Sequence, residues 1–327
     1  MKRLRPSRGG GANRGAAAAP SERERGWGPA SMKKANATLL VVLAVWLACI
    51  ETAGLQTAPK RIISLIPALT EMVYAIGAGT ELIAVGSFDE YPPQVASLPR
   101  VGGLLDPDLE RILSLKPDLV LVYGTQTDLR LQLERAGIQQ FPYKHGDLAS
   151  VMATIRALGA RLGRGEAAER VAADIENRLS AIRSRVSGRA RPKALLVFGR
   201  DALSLRGIFA SGGVGFLHDM LETAGADNVF ADVTRESVQV TSELVLQRAP
   251  EAIVELRHGM KPDQLDAERS VWSALASVPA VRTGRIHILT DSSLPIPGPR
   301  AAQATELMAR ALHPEAFEGR PVKRPDP

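Results

Sequence analysis

The side chains that most often do chemistry are sparse in this chain and badly spaced for it. Five histidines, His145, His218, His258, His287 and His313, are scattered, and Cys49 is the single cysteine. No two histidines stand four apart as ligands on one helical face would, and one thiol excludes a disulfide framework or a thiolate-rich zinc site. No resident metal or cofactor is expected. The sequence lacks a nucleophile elbow, a phosphate loop, a dinucleotide fingerprint and an HExxH motif. The glycine cluster Gly212-Gly213-Val214-Gly215 has no Lys-Ser/Thr continuation and reads as a turn ahead of a helix over Phe216–Thr223. No catalytic residue is therefore assigned, and the chemistry left is that of binding. Phe88, Tyr91 and Tyr123 are planar and apolar enough to wall a flat ligand, with core or rim packing as their ordinary alternative. Arg200, Arg206, Asp291 and Arg300 are candidate polar contacts, since a guanidinium clamps a carboxylate or phosphate at two points.

A second pattern repeats. Leu109-Glu110-Arg111-Ile112-Leu113 leads through Lys116-Pro117-Asp118 into Leu119-Val120-Leu121, and Ser242-Glu243-Leu244-Val245-Leu246 leads through Ala249-Pro250-Glu251 into Ala252-Ile253-Val254. In both copies the glutamate stands seven residues before the proline. Each proline ends a short helix and turns the chain into a strand. Glu110 and Glu243 are thereby predicted to occupy equivalent places on two lobes, where the first helical turn already favours an acid.

The elements that must position these residues follow from hydropathy. Short aliphatic runs alternate with helical stretches, the pattern of parallel βα units. Predicted strands are 62–65, 82–85, 119–123 and 140–143, then 194–198, 228–230, 252–256 and 286–289. Between the two series, Leu148 to Val186 reads as one long amphipathic helix. Val151, Ile155, Leu158, Leu162, Val171, Ile175, Leu179 and Ile182 line its apolar face, with a kink at Gly163–Gly165. The fold class is α/β: two Rossmann-like lobes, 60–146 and 193–317, joined by one long α-helix within 147–188, with a ligand cleft between them and a tail over 318–327. A helical strut resists wide bending, so only small closure is expected. The cleft belongs at the carboxyl ends of the strands, where Tyr123, Arg200 and Asp291 fall.

Charge separates a leader from this body. The 327 residues hold 41 basic and 35 acidic side chains, yet residues 61–327 alone hold 31 and 32. A nearly neutral body argues against a nucleic-acid partner. Residues 1–31 lack apolar period and are expected to be disordered or untranslated. Met32, the start-codon alternative to Met1, opens a segment with Lys33 and Lys34 followed by twelve apolar residues, Leu39 to Ile50. That layout, over 32–54, is a signal peptide: its apolar run is too short to span a bilayer. Cys49 lies at the close of the run, one residue before Ile50 and behind Leu47 and Ala48, in a context resembling a bacterial lipobox, so lipidation of Cys49 or cleavage after Gly54 are the two expected fates. Both put the mature protein in the periplasm or on the outer face of the cytoplasmic membrane, and lipidation would give it an anchor as its one membrane contact.

From Arg61 to Phe317 the chain resembles the periplasmic binding proteins of ABC importers for iron-siderophores, haem and cobalamin. The resemblance is carried by Arg61-Ile62-Ile63-Ser64-Leu65-Ile66-Pro67-Ala68-Leu69-Thr70-Glu71, by Val85-Gly86-Ser87-Phe88-Asp89-Glu90-Tyr91-Pro92-Pro93, by Leu109-Glu110-Arg111-Ile112 through Lys116-Pro117-Asp118-Leu119-Val120, by Pro297-Gly298-Pro299-Arg300 and by His313-Pro314-Glu315. The Glu-Tyr-Pro-Pro variant looks most like the cobalamin-binding branch, although Leu104 and Ser237 stand where that branch often has tryptophan. The resemblance implies that Glu110 and Glu243 dock onto the two subunits of an ABC permease dimer with its ATPase, and that Phe88, Tyr123 and Phe209 stack on the ligand. It implies cobalamin first, and haem or a ferric siderophore as alternatives whose acidic groups or iron Arg200, Arg300, Tyr91 and Tyr123 would meet. The carrier is expected to be a monomer. A hydrolase in a two-lobed cleft and an extracellular sensor are the other classes this fold admits.

Overall fold

Aliphatic runs too apolar to face water on either side become the inner strands of two sheets in the computed structural model, which describes residues 58–318. The leader, the signal peptide, Met32, Cys49 and residues 319–327 of the tail lie outside these residues. In the first lobe, β1 (Ile62–Ser64), β2 (Leu82–Val85), β3 (Leu119–Tyr123) and β4 (Gln139–Tyr143) form a parallel sheet in the order β2-β1-β3-β4. Ile62 stands opposite Leu82 on one side and Leu119 on the other. Helices α1 (Pro67–Ala75), α2 (Leu109–Ser114) and α3 (Thr127–Arg135) make the connections. A strand with neighbours on both sides and helices on its faces has to be apolar throughout, and β3 is buried from Leu119 to Val122.

Two helices follow where one was expected. Helix α4 (Leu148–Arg161) ends at Gly163, whose φ of +66° is the left-handed conformation that terminates a helix, and α5 (Gly165–Val186) begins two residues later. The apolar period passes through the break, because α4 and α5 pack on each other and bury the same faces. A Cβ on Gly159 would lie 2.2 Å from that of Ala168, so the helices touch there at backbone distance. Arg164, at the turn, pairs with Glu81 at 3.0 Å in the first lobe. At the other end, Val186 lies against Gly225 of the second lobe. The strut is thus α5, 22 residues or about 33 Å long, and α4 lies back along the first lobe.

The second lobe is a mixed sheet. β5 (Lys193–Gly199), β6 (Ile208–Ser211), α6 (Phe216–Thr223), β7 (Asp227–Asn228), β8 (Ser237–Val240), α7 (Ser242–Arg248), β9 (Ala252–Leu256), α8 (Leu265–Ser270), α9 (Pro279–Arg282), β10 (Ile286–Leu289) and α10 (Ala301–Leu312) follow in order. The strands run β10-β9-β5-β6-β8, with β7 pairing the start of β5. β10, β9 and β5 are parallel, while β5–β6 and β6–β8 are antiparallel. β6 and β8 were not expected, and the strand expected at 228–230 is the two-residue β7. One buried cluster runs from Ile62 through α4 and α5 to Met308 of α10, so both lobes share a core. A second, around Phe230 and Trp272, fills the far side of the second sheet.

Candidate functional site

The repeated segments fold alike. Glu110 and Glu243 are each the second residue of a short helix, and each is exposed. Asp108 caps α2 by accepting the Arg111 N–H at 2.9 Å, and Thr241 caps α7 by accepting that of Leu244 at 3.3 Å. One turn inside, Ile112 and Val245 are buried anchors. Lys116 (φ +47°) and Ala249 (φ +45°) then take the left-handed conformation, each just before its proline. After the prolines, Asp118 accepts the backbone N–H groups of Lys60 and Arg61, and Glu251 accepts that of Lys193. Cap, anchor, left-handed residue, proline and acid recur in one order, so the two exposed glutamates sit on equivalent corners. Hydrogen bonds from its own backbone N–H and from the Thr241 side chain hold the Glu243 carboxyl below its ordinary range.

The carboxyl ends of the strands carry the aromatic groups. Tyr123 ends β3 and Tyr143 ends β4, with ring centroids 5.9 Å apart, and His145 lies 5.5 and 5.2 Å from the two. Burial lowers the His145 pKa and raises that of Tyr143, so both stay neutral near pH 7. His145 faces the second lobe across a cavity of about 300 Å³ shared with Phe198, Val214, Phe216, Glu236 and Pro295. Phe198 packs on Phe209 at 6.5 Å, and Phe209 is exposed. Phe88 is 74% exposed on the loop after β2. His145, Tyr143 and Phe198 were not singled out from sequence, yet each lies at or just past a strand's carboxyl end, which is the signal that selected Tyr123.

The charged candidates fare differently. Arg200 was expected to meet ligand, but its side chain has no exposed surface: it pairs with Glu255 at 2.9 Å and Glu268 at 2.8 Å inside the second lobe. Arg300 is committed as well. Its guanidinium makes a two-point pair with Glu71 of α1 at 2.6 and 2.9 Å, donates to Ser292, and lies 3.9 Å over the Tyr91 ring. It ties the segment after β10 to the first lobe, and Tyr91 is its platform rather than a free wall. The Asp291 carboxylate accepts the N–H and hydroxyl of Ser293, closing a turn. Glu90 and His258, 3.0 Å apart, make a further contact across the seam. Arg206 remains exposed on the β5–β6 hairpin. Among the described residues, no group of three or more His, Cys, Asp or Glu side chains is placed to hold a metal ion, and no helix is long and apolar enough to cross a membrane.

Beneath Phe88, Asp89 is buried beside Thr70, Glu71 and Arg100, and burial pushes its carboxyl up to about 6. Glu71 is raised in the same way, partly offset by Arg300.

Known proteins match this arrangement across both lobes. The chain is 32% identical over 252 residues to the vitamin B12-binding protein of Salmonella typhimurium, covering 76% of this chain and 88% of that one. An uncharacterized ABC transporter substrate-binding lipoprotein of Bacillus subtilis is 29% identical over 265 residues, 80% of this chain and 82% of that protein. The crystal structure of the periplasmic vitamin B12-binding protein of Vibrio cholerae superposes with a TM-score of 0.68 at 26% identity, covering 80% of this chain and 99% of the other. The model of the family described as periplasmic binding protein matches residues 62–292, which take in both sheets and the helices between them. On that match and the identity to the Salmonella protein, the chain belongs to the periplasmic binding protein family.

Proposed function

We propose that the protein is the cargo-binding component of an ABC importer, that it takes up cobalamin or a related corrinoid in the seam between its lobes, and that it hands this cargo to a permease dimer through Glu110 and Glu243. The observation that supports delivery is the repeated corner. An acid held at the same helical position on each lobe suits a partner built of two like subunits, and such exposed pairs contribute register and on-rate more than affinity. The choice of cargo is supported by the similarity to vitamin B12-binding proteins and by the apolar and aromatic groups at the strand ends. Phe88 and Phe209 are the exposed members, and Tyr123, Tyr143 and His145 form the wall behind them. Family membership supports a location outside the cytoplasmic membrane, where the proposed carrier is a monomer held by a lipid on Cys49.

A second reading, haem, rests on the same Tyr123, Tyr143 and His145 cluster, whose oxygen and nitrogen atoms are ligands for iron. Titration of the purified protein with cyanocobalamin, haemin and a ferric hydroxamate, followed by co-elution and absorption spectra, separates the readings. Retained corrinoid bands support the first, and a shifted Soret band replaces it with the second. In cells, Glu110→Ala with Glu243→Ala is expected to leave cargo binding unchanged and to lower uptake at least tenfold. Unchanged uptake rejects docking through these corners.

A further inference from the structure

Four charged side chains meet inside the second lobe. Arg200 and Arg257 follow β5 and β9, and Glu255 and Glu268 come from β9 and α8. Glu255 lies 2.9 Å from Arg200 and 2.5 Å from Arg257, while Glu268 lies 2.8 and 3.0 Å from the same two. The charges cancel, and the Trp272 indole N–H donates to Glu255 at 3.0 Å. A buried quartet of this kind adds little net stability over an apolar core, because desolvation offsets the attraction. What it does provide is direction.

That direction is toward the β5–β6 hairpin. Arg200 donates to the carbonyls of Asp201 and Ser204, Arg257 donates to that of Arg200, and Glu268 accepts the Leu203 N–H with both carboxylate oxygens, at 3.1 and 3.2 Å. Leu203 is held with φ +52°, a conformation a leucine seldom adopts, and the residue is 63% exposed. The hairpin stands at the carboxyl ends of β5 and β9. It also carries exposed Phe209, and His258, next to Arg257, touches Glu90 on the first-lobe loop that bears Phe88. An exposed aliphatic residue is thus held through its backbone N–H on the hairpin at that end of the sheet.

We propose that Leu203 is an apolar contact of the second lobe for the bulky chelate, and that the Arg200/Glu255/Arg257/Glu268 quartet is the positioning frame that presents it. This rests on the cargo reading above. The frame acts through backbone hydrogen bonds, so its members are positioning residues and Leu203 alone touches cargo.

A double-mutant cycle with cyanocobalamin as the probe tests this. Leu203→Ala is expected to weaken binding about tenfold without a change in Tm. Glu268→Gln, which keeps the volume but removes the charge and one acceptor, is expected to weaken it about fivefold. The double variant is expected to bind no worse than Leu203→Ala, because a misplaced contact and a missing one are the same loss. Multiplying losses, or unchanged affinity in Leu203→Ala, overturns the proposal. If Glu268→Gln does not fold, Leu203→Gly, which suits the backbone conformation, must reproduce the tenfold loss, and wild-type affinity there rejects it. Amide exchange over residues 200–207, measured without ligand, is expected to accelerate at least tenfold in Glu268→Gln, and unchanged protection rejects the frame. Should the wild-type protein bind no cyanocobalamin, haemin or ferric hydroxamate, the cargo reading and the Leu203 contact both fall, and the exchange result alone still decides whether the quartet orders the hairpin.

Discussion

The two lobes agree at one end and differ at the other. At the corners that carry Glu110 and Glu243, the same devices recur in the same order, down to left-handed residues at Lys116 and Ala249. At the carboxyl ends of the strands nothing repeats. The first lobe offers Phe88 above a buried Asp89 and a Tyr123–Tyr143–His145 cluster, and the second offers a hairpin anchored on a buried charge quartet. A partner with two like subunits selects for matched corners, whereas a cargo with two unlike faces does not. The contrast fits the proposed docking of matched corners onto two like subunits and the proposed cargo with unlike faces.

The largest expected difference between the lobes lies under these unlike ends. In the second, Glu255→Ala leaves Arg200 and Arg257 to share the one carboxylate of Glu268, an unbalanced charge in a buried site, and should cost about 3–5 kcal/mol in urea unfolding. In the first, the nearest counterpart is Gln126, which accepts the Tyr123 N–H and donates to the Leu104 carbonyl, both at 3.0 Å. Gln126→Ala removes two neutral hydrogen bonds and should cost about 1–2 kcal/mol. Equal losses would mean that the quartet is not the tighter anchor.

Asp89 gives the first lobe a pH dependence of its own. Its folded pKa, about 6, lies above the ordinary 3.8, so the folded state holds the proton more strongly than the unfolded chain. Stability from this group is therefore full below about pH 4, falls as pH rises toward 6, and is flat beyond. Asp89→Asn is neutral throughout and should be more stable than wild type at pH 7 by up to about 3 kcal/mol. The slope between pH 4 and 6 should shrink, with the remainder owed to Glu71, which burial shifts in the same direction. A wild-type-like slope in the variant would show that Asp89 does not titrate there.

The matched corners should respond equally. Asp108→Ala and Thr241→Ala each remove one helix cap and should each cost about 1 kcal/mol. A difference beyond about 0.5 kcal/mol would break the equivalence.

How much of this was legible in the sequence depended on the reach of the signal. The corners are local, with cap, helix, proline and strand all within a dozen residues, so the repeat could be read directly. The inner strands announced themselves by unbroken aliphatic runs. β6, four residues running into the Gly212–Gly215 cluster, and β8, where Ser237 and Gln239 alternate with Val238 and Val240, gave no such run. Gly163–Gly165 was read as a kink, and that it is a full break between α4 and α5 was hidden because both helices bury one continuous apolar face, which leaves the period intact across Gly163. Arg200 was read as a cleft contact from its place after a strand, and Arg300 from the two-point chemistry of its guanidinium. What decided their fate was Glu255, 55 residues away, and Glu71, 229 residues away. An ion pair between distant segments leaves no local pattern, so position alone could not tell a ligand contact from a structural tie.

The smallest predicted effects sharpen the comparison most, because they isolate backbone geometry. Lys116 and Ala249 are both L-residues held at φ near +45° before a proline. Glycine at either place relieves a conformational cost of about 1–2 kcal/mol, but it also frees the unfolded chain by roughly 0.5–1 kcal/mol. Lys116→Gly and Ala249→Gly should therefore stabilise the protein, by about 0.5 kcal/mol each, and by the same amount within that margin. Lys116 is exposed, as is Ala249, so neither change removes packing that would obscure the result. Thermal unfolding of the two variants side by side decides it: a gain at one corner with a loss at the other would mean that the likeness is one of trace and not of energy, and that the two acids need not be presented with equal rigidity.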